Sequence, residues 1–414
     1  VPTSNRRVVV TGMGLVCPCG NSVEESWENI VTGRSGITRI TAFDVEDYKS
    51  QIAGEVKNFD PLKHLDKKEV RRTDRSIQLA LAASAEAMAD VDMAGIDGDR
   101  FGTIVGSGIG GIQTFETQHT VLMNKGPAKV SPFFIPMMIS DMTAGQLSIR
   151  YGLRGPNFAT VSACASGGHA ISDAYMYVKN GFADAIMTGG TEATISPMAL
   201  AGFCNMKALS FRNDEPDKAS RPFEKDRDGF VMAEGSGIII LEEMEHAKAR
   251  DAEIHAEMIG VGLTGDAYHI TSPVPGGIGA VNAMKMALSN AKLNPSDIDY
   301  INAHGTSTQY NDKVEAEAIR NVFGDGSSAP RVSSTKSVTG HLLGAASSLE
   351  FIACVKAIRD QVMPPTANLY NPDPECDLNH VAFDAEKNEL THILSNSFGF
   401  GGHNVSIILR RFDS

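Results

Sequence analysis

The chain has 414 residues, 42% of them hydrophobic and 21% charged, with a formal net charge of -13. That length builds two domains or one large duplicated unit, the acidic balance argues against nucleic acid as a general partner, and no apolar run approaches the roughly 18 residues of a membrane span. Six cysteines are too few for a disulfide framework in so long a chain and fit a reducing compartment.

The opening VPTSNRR carries no Met, as a tagged, truncated or processed chain would. RRVVVTGMGLV then predicts the first strand. The CPC that follows it, with Cys17 and Cys19, has no second pair to complete a metal site, so the two are read as structural. GTIVGSGIGG, FATVSAC, DAIMTGG and SGIIILEEM predict four more strands, with helices at SIQLALAASAEAMADV and after Cys164. Past the charged helix EEMEHAKARDAE the scheme repeats, with strands predicted in HAEMIGVGLTG, IDYINAHGTS, PRVSSTKS, HILSNSFGFGG and NVSIILRRF. Buried β-rich runs alternating with helices predict parallel sheets covered on both faces. A weak internal repeat pairs VSACASGGHA at 161 with VSSTKSVTGH at 332, and GSGIIILEE at 235 with HNVSIILRR at 403. It points to two α/β halves, 1–254 and 255–414, packed into one body with strand ends converging on one site.

Three stretches carry candidate chemistry. In TVSACASGGHAI, Cys164 sits where a strand gives way to a helix. The helix N-terminus would lower the thiol pKa there, and the small neighbours would admit a carbonyl. A buried structural cysteine fits the same stretch about as well. His304 in NAHGTSTQYND and His341 in KSVTGHLLGAAS both follow strand-to-loop transitions, where an imidazole can donate from Nε2 to an oxyanion or assist proton transfer. Lys336 adds a cation that would lower neighbouring pKa values. The loop of SNSFGFGGHN, residues 398–402, can offer backbone N–H groups to a ligand and can move. GSGIGG at 106–111 lacks the GxGxxG spacing, and no P-loop, HExxH or GxSxG motif is present.

Together, VSACASGGHA, NAHGTST, KSVTGHLLGAA and NSFGFGGHN, with RPFEKDRDGFVMAEGSG between them, resemble the β-ketoacyl-acyl carrier protein synthases along the whole chain, nearest their branch II. Initiating synthases of the same fold use Cys, His and Asn, against the Cys–His–His set here, and the chain-length factors of polyketide systems lack the cysteine. The resemblance implies a thiolase-like duplicated α/β fold, a five-layer αβαβα sandwich, and a homodimer. It implies an acyltransferase of fatty acid elongation in which Cys164 carries the acyl chain. His304 and His341 bind the malonyl carbonyl during decarboxylation, and the N–H groups of Cys164 and Phe400 form the oxyanion hole. Lys336 and Glu350 are implied as supporting residues, Thr306 and Thr308 as contacts of the phosphopantetheine arm, and Ile109, Phe398 and Phe400 as parts of the acyl pocket and its gate. No cofactor is implied beyond that carrier-borne arm and no resident metal, although some relatives hold a monovalent cation near positions matching Asn302, Glu350 and Asn396. The partner implied is an acidic acyl carrier protein, docking on a basic cluster of Lys67, Lys68, Arg71, Arg72, Lys129 and Lys207; a solvated helix face is the plainer reading of that cluster. A polyketide ketosynthase and a non-catalytic carrier-binding subunit are the alternatives. One departure stands out: His403, where many bacterial members have Thr and plant plastid members often His. It leaves bacterial cytoplasm and plastid stroma both open.

Overall fold

The computed structural model describes residues 6–89, 91 and 96–413, so most of the opening VPTSNRR lies outside the described residues. All ten predicted strands form: β1 (Val8–Val16), β2 (Phe101–Gly106), β3 (Asn157–Thr160), β4 (Ala185–Glu192), β5 (Gly235–Glu243), β6 (Ala256–Gly265), β7 (Tyr300–Asn302), β8 (Arg331–Ser333), β9 (His392–Gly399) and β10 (His403–Arg410). They hydrogen-bond in the order β8-β7-β9-β10-β6-β1-β5-β4-β2-β3. Read outward from the centre, the two wings are β1-β5-β4-β2-β3 and β6-β10-β9-β7-β8, the same order twice. A short antiparallel seam joins them, Val8–Val10 against Met258–Ala256.

The expectation of parallel sheets holds only for the outer strands. β4, β2 and β3 run parallel, as do β9, β7 and β8, while β5 and β10 run antiparallel to both of their neighbours. The reason is plainest at the C-terminus. Only a tight turn separates Gly399 from His403, and a parallel connection needs a crossover of about a dozen residues or more.

Five helices define the layers: α1 (Arg75–Ala87), α2 (Ser166–Lys179), α3 (Ile278–Ala291), α4 (Gln309–Phe323) and α5 (Ala346–Asp360). α1 lies on β1 and β5 outside the first wing, and α3 lies on β6 and β10 outside the second, with α4 against it. Both outer contacts use the same device. A Cβ on Gly14 would come 1.9 Å from the Ala83 carbonyl oxygen, and one on Gly262 would come 1.9 Å from that of Ala283. Glycine lets each strand approach its helix backbone. α2 and α5 form the middle layer, each touching strands of both wings. They meet at their first turns, where a Cβ on Gly167 would lie 2.9 Å from the Gly344 oxygen.

Cys17 and Cys19 are buried; the Cys17 thiol bonds Ser26 Oγ at 3.3 Å and the Cys19 thiol donates to the Val338 oxygen at 3.7 Å. Among the described residues no helix is long and apolar enough to cross a membrane, and no group of three or more His, Cys, Asp or Glu side chains could hold a metal ion.

Candidate active site

β3 ends at Thr160, and three residues later the chain turns sharply at Ala163, whose φ of 51° is left-handed. A residue with a Cβ is uncommon there, and such strain gathers at functional sites. A single tight turn, Ala163–Ala165, then feeds α2. Ser166 fastens the elbow, donating from Oγ to the Ala163 oxygen at 2.7 Å and accepting from the Ser162 N–H at 2.9 Å. Cys164, only 8% exposed, borders a cavity of ≈ 620 Å³. The turn between β9 and β10 presses on the same elbow: a Cβ on Gly399 would sit 2.6 Å from the Ser162 oxygen and 3.3 Å from the Cys164 nitrogen.

The thiol does not behave as the helix-terminus argument expects. Burial pushes its pKa up to about 12, with the Glu192 carboxylate acting in the same direction; the Lys336 charge and the N–H groups of Phe400 and of Cys164 itself pull it back. Desolvation outweighs those favourable contacts, so the resting group is a thiol. Both N–H groups face the Cys164 sulfur.

His304 and His341, both buried, face one another edge-on with ring centroids 5.4 Å apart. Their tautomers follow from their neighbours. The Leu343 N–H donates to His341 Nδ1 at 3.3 Å. Lys336 Nζ, a group that only donates, stands 3.4 Å from His304 Nδ1 and donates to the His304 oxygen at 2.6 Å. In both rings Nδ1 is the acceptor, so each neutral ring carries its proton on Nε2. Burial, the Lys336 charge and, for His304, the neighbouring His341 hold both pKa values well below 6.5. The pair is therefore neutral at pH 7, with two N–H donors beside Cys164 in one cavity.

Beneath the histidines Lys336 pairs with Glu350, and both are buried. Burial raises the Glu350 pKa to about 7 against the pull of Lys336. Glu350 Oε2 makes no hydrogen bond of ordinary geometry, nor does the buried Asn302 Oδ1. Asn396 accepts from Ser406 at 2.7 Å and lies 3.4 Å from Glu315.

Ile109, Phe398, Phe400, Thr306 and Thr308 all line the cavity, as does Lys207 at its border. Phe398 packs on His304 with centroids 5.7 Å apart, and the hydroxyls of Thr306 and Thr308 are 2.9 Å apart. The turn beyond Phe400 is tethered to the segment 266–272, with the Gly401 N–H donating to the Ile270 oxygen at 2.8 Å and the Asp266 N–H to that of Gly402 at 2.9 Å. Lys67, Lys68, Arg71 and Arg72 are exposed on and after a short helix, and Arg72 lies 4.3 Å over the Phe133 ring. Lys129 is exposed on the turn leading to Phe133. His403 is exposed at the start of β10, its ring edge-on to His169.

Two site residues escaped the sequence reading. Glu192 closes β4 and accepts from Gly108 and Ile109, and Glu315 on α4 accepts from the N–H groups of His304 at 2.8 Å and Gly305 at 2.7 Å. Burial raises the pKa of both to about 7. The signal for Glu192 was a carboxylate ending AIMTGGTE, an otherwise uncharged buried strand; a charge is rarely buried without partners.

Residues 5–247 match the family description "Beta-ketoacyl synthase, N-terminal domain" and residues 255–370 match "Beta-ketoacyl synthase, C-terminal domain". Curated relatives include the 3-oxoacyl-[acyl-carrier-protein] synthase 2 of Staphylococcus aureus strain N315, 50% identical over all of both chains, and that of Synechocystis, 51% identical over 98% of both. Among solved structures the ishigamide ketosynthase/chain length factor superposes with a TM-score of 0.93 at 34% identity, covering 99% of this chain and 100% of that one. A type II polyketide ketosynthase in complex with its acyl carrier protein superposes with a TM-score of 0.89 at 34% identity and the same coverage. The thiolase-like fold, the Cys–His–His cavity and these matches agree: the chain belongs to the β-ketoacyl synthase family of condensing enzymes.

Proposed function

We propose that this protein elongates acyl chains borne by an acyl carrier protein, acting as a 3-oxoacyl-acyl carrier protein synthase of fatty acid synthesis. The observation that carries the reading is the pair of neutral imidazoles whose Nε2–H donors share a cavity with Cys164. Cys164 sulfur attacks the carbonyl carbon of the acyl thioester, and the N–H groups of Cys164 and Phe400 hold the oxyanion. The carrier thiol leaves with the proton that Cys164 gives up. The malonyl thioester then binds with its carbonyl oxygen between His304 and His341. Breaking the carboxylate C–C bond releases CO₂ and leaves the electron pair as an enolate, which the two donors stabilise without transferring a proton. The enolate carbon attacks the acyl-cysteine carbonyl, the new C–C bond forms, and the Cys164 sulfur leaves and regains a proton.

The other assignments rest on the same reading. Lys336 holds His304 in its tautomer and is itself held by Glu350. Thr306 and Thr308 receive the phosphopantetheine arm, Ile109 walls the acyl chain, and Phe398 and Phe400 gate it. The unpartnered Oδ1 of Asn302, with Glu350 and Asn396, fits a monovalent cation that would fix the floor of the site. The carrier docks on Lys67, Lys68, Arg71, Arg72, Lys129 and Lys207, whose exposed positive charge complements an acidic partner. A boundary at 254/255 is supported by the repeated strand order. A homodimer is supported by the free edge of β3, beside which Val161 and Ile149 are exposed, since such an edge is normally covered. The bacterial relatives favour a bacterial cytoplasm over a plastid. Mass spectrometry of the protein incubated with saturated acyl carrier proteins of graded length, then with malonyl carrier protein, tests the function. A Cys164 adduct and a 3-oxoacyl product two carbons longer are expected; an unmodified Cys164 with every chain length would defeat it.

A further inference from the structure

Glu192 is fully buried and takes no part in the chemistry described above. Its Oε2 accepts from the Gly108 N–H at 2.7 Å and the Gly344 N–H at 3.0 Å, while Oε1 accepts from Ser107 Oγ at 3.1 Å and the Ile109 N–H at 3.2 Å. Its four donors are three backbone amides and a hydroxyl, with no cation among them. Those donors belong to two separate loops. One, 107–110, carries Ile109 on the cavity wall. The other follows His341 and includes Leu343, whose N–H fixes the His341 tautomer. The loops touch through glycines: a Cβ on Gly344 would come 2.4 Å from the Gly108 nitrogen and 2.5 Å from Glu192 Oε2, and one on Gly108 would come 2.8 Å from Oε2. The carboxylate also borders the cavity with Ala163 and Cys164. A scaffold role alone would be met by two apolar loops in contact; a lone buried carboxylate is costly unless fully bonded, and here every bond goes to a loop that carries an acting group.

We propose that Glu192 is a positioning residue that clasps the acyl-pocket wall at Ile109 to the His341 loop, and so sets where an acyl chain lies relative to Cys164 and the histidines. The proposal rests on the condensing-enzyme reading for its substrate. Glu192→Gln keeps the shape but supplies one acceptor oxygen in place of two, and turns an N–H₂ group towards backbone N–H donors. A displacement of about 1 Å at a reacting centre can cost on the order of 100-fold. Loading of Cys164, read by intact mass, should therefore fall about 10- to 100-fold for long acyl chains and much less for two- to four-carbon chains.

A second readout separates positioning from scaffolding. The Glu192 charge disfavours the thiolate, against Lys336 which favours it. Removing it should shift the pH midpoint of Cys164 alkylation by iodoacetamide to lower pH. Ser107→Ala keeps the charge and loosens only the Oε1 side, so it should give a smaller length-dependent loss with an unmoved midpoint, and it decides the matter should Glu192→Gln not fold. Equal losses at every chain length would overturn the clasp, as would an unchanged midpoint in a folded Glu192→Gln. A wild-type protein that loads no acyl chain would instead defeat the proposed function, while the alkylation measurement still reads the clasp.

Discussion

Each half of the molecule builds a strand-to-helix elbow on its third strand, and the two elbows have been put to different uses. In the first, the chain passes from Thr160 at the end of β3 directly to left-handed Ala163, then presents Cys164 and enters α2. In the second, it leaves β8 at Ser333 and reaches left-handed Leu343 only after a detour, then presents Gly344 and enters α5. Gly344 thus stands where the first half has its thiol, and the space goes to close packing against Gly108, Gly167 and Gly190. The detour contains Lys336 and His341. The two shelves are equivalent in place and different in load: one carries Cys164, and the other carries glycine while its approach loop carries His341 and the Lys336 cation.

The sharpest way to break this comparison is to make the first elbow resemble the second. Cys164→Ala should abolish the covalent acyl adduct entirely while leaving malonyl decarboxylation measurable, because that step uses only the histidines. Any adduct on this variant by intact mass would contradict the assignment. Next in size, His304→Ala and His341→Ala should each lose about 100- to 1,000-fold in condensation, the cost of one oxyanion donor. Acyl loading of Cys164 should suffer far less, and normal turnover by both variants would end the donor reading.

Gly344→Ala probes the second elbow directly. Its methyl group would press on the Gly108 nitrogen and on Glu192, so denaturant unfolding should show a loss of about 1–3 kcal/mol, as for other overpacked cores. Unchanged stability would mean that the elbow has room for a side chain. The pH behaviour of the histidines follows from the sign of their shifts. Their pKa values are depressed below 6.5 by burial and by Lys336, so both rings should stay neutral, protonated at Nε2, as pH falls through 6.5. NMR of labelled histidines reads this, and protonation of either ring at or above pH 6.5 would contradict it. The smallest effect belongs to the periphery. Lys68→Glu with Arg71→Glu should raise KM for carrier-bound substrates several-fold at low salt, with kcat nearly constant, since such contacts act on association and are screened. Pantetheine thioesters should react as before; equal losses for both substrate types would assign the cluster to the fold.

Much of this was legible in the chain. All ten strands were marked by their apolar runs, and Cys164, His304 and His341 by their settings at strand ends. The duplication had a clearer signature than the one read from the sequence: GMGL at 12–15 and GVGL at 260–263 occupy matching places on β1 and β6, each glycine facing a helix backbone. The pairing of VSACASGGHA with VSSTKSVTGH matched the third strands but set Cys164 against Thr335, because the detour before Leu343 shifts the register. Strand direction was hidden for a different reason. A buried antiparallel strand covered on both faces has the same continuous apolar pattern as a parallel one. The thiol pKa was misjudged because a helix terminus is local in sequence, whereas desolvation depends on the whole fold around Cys164.

The turn between β9 and β10 belongs to the second half of the chain, yet it brings the Phe400 N–H to the thiol of the first. The donor pair proposed for the thioester is therefore complete only when the turn at Phe400 packs against the elbow at Cys164. A chain synthesised only as far as α2 carries Cys164 but lacks His304, His341 and the Phe400 turn. On the proposed mechanism, reactivity towards thioesters should arise only once the β9–β10 turn has docked, so a nascent chain should resist acylation.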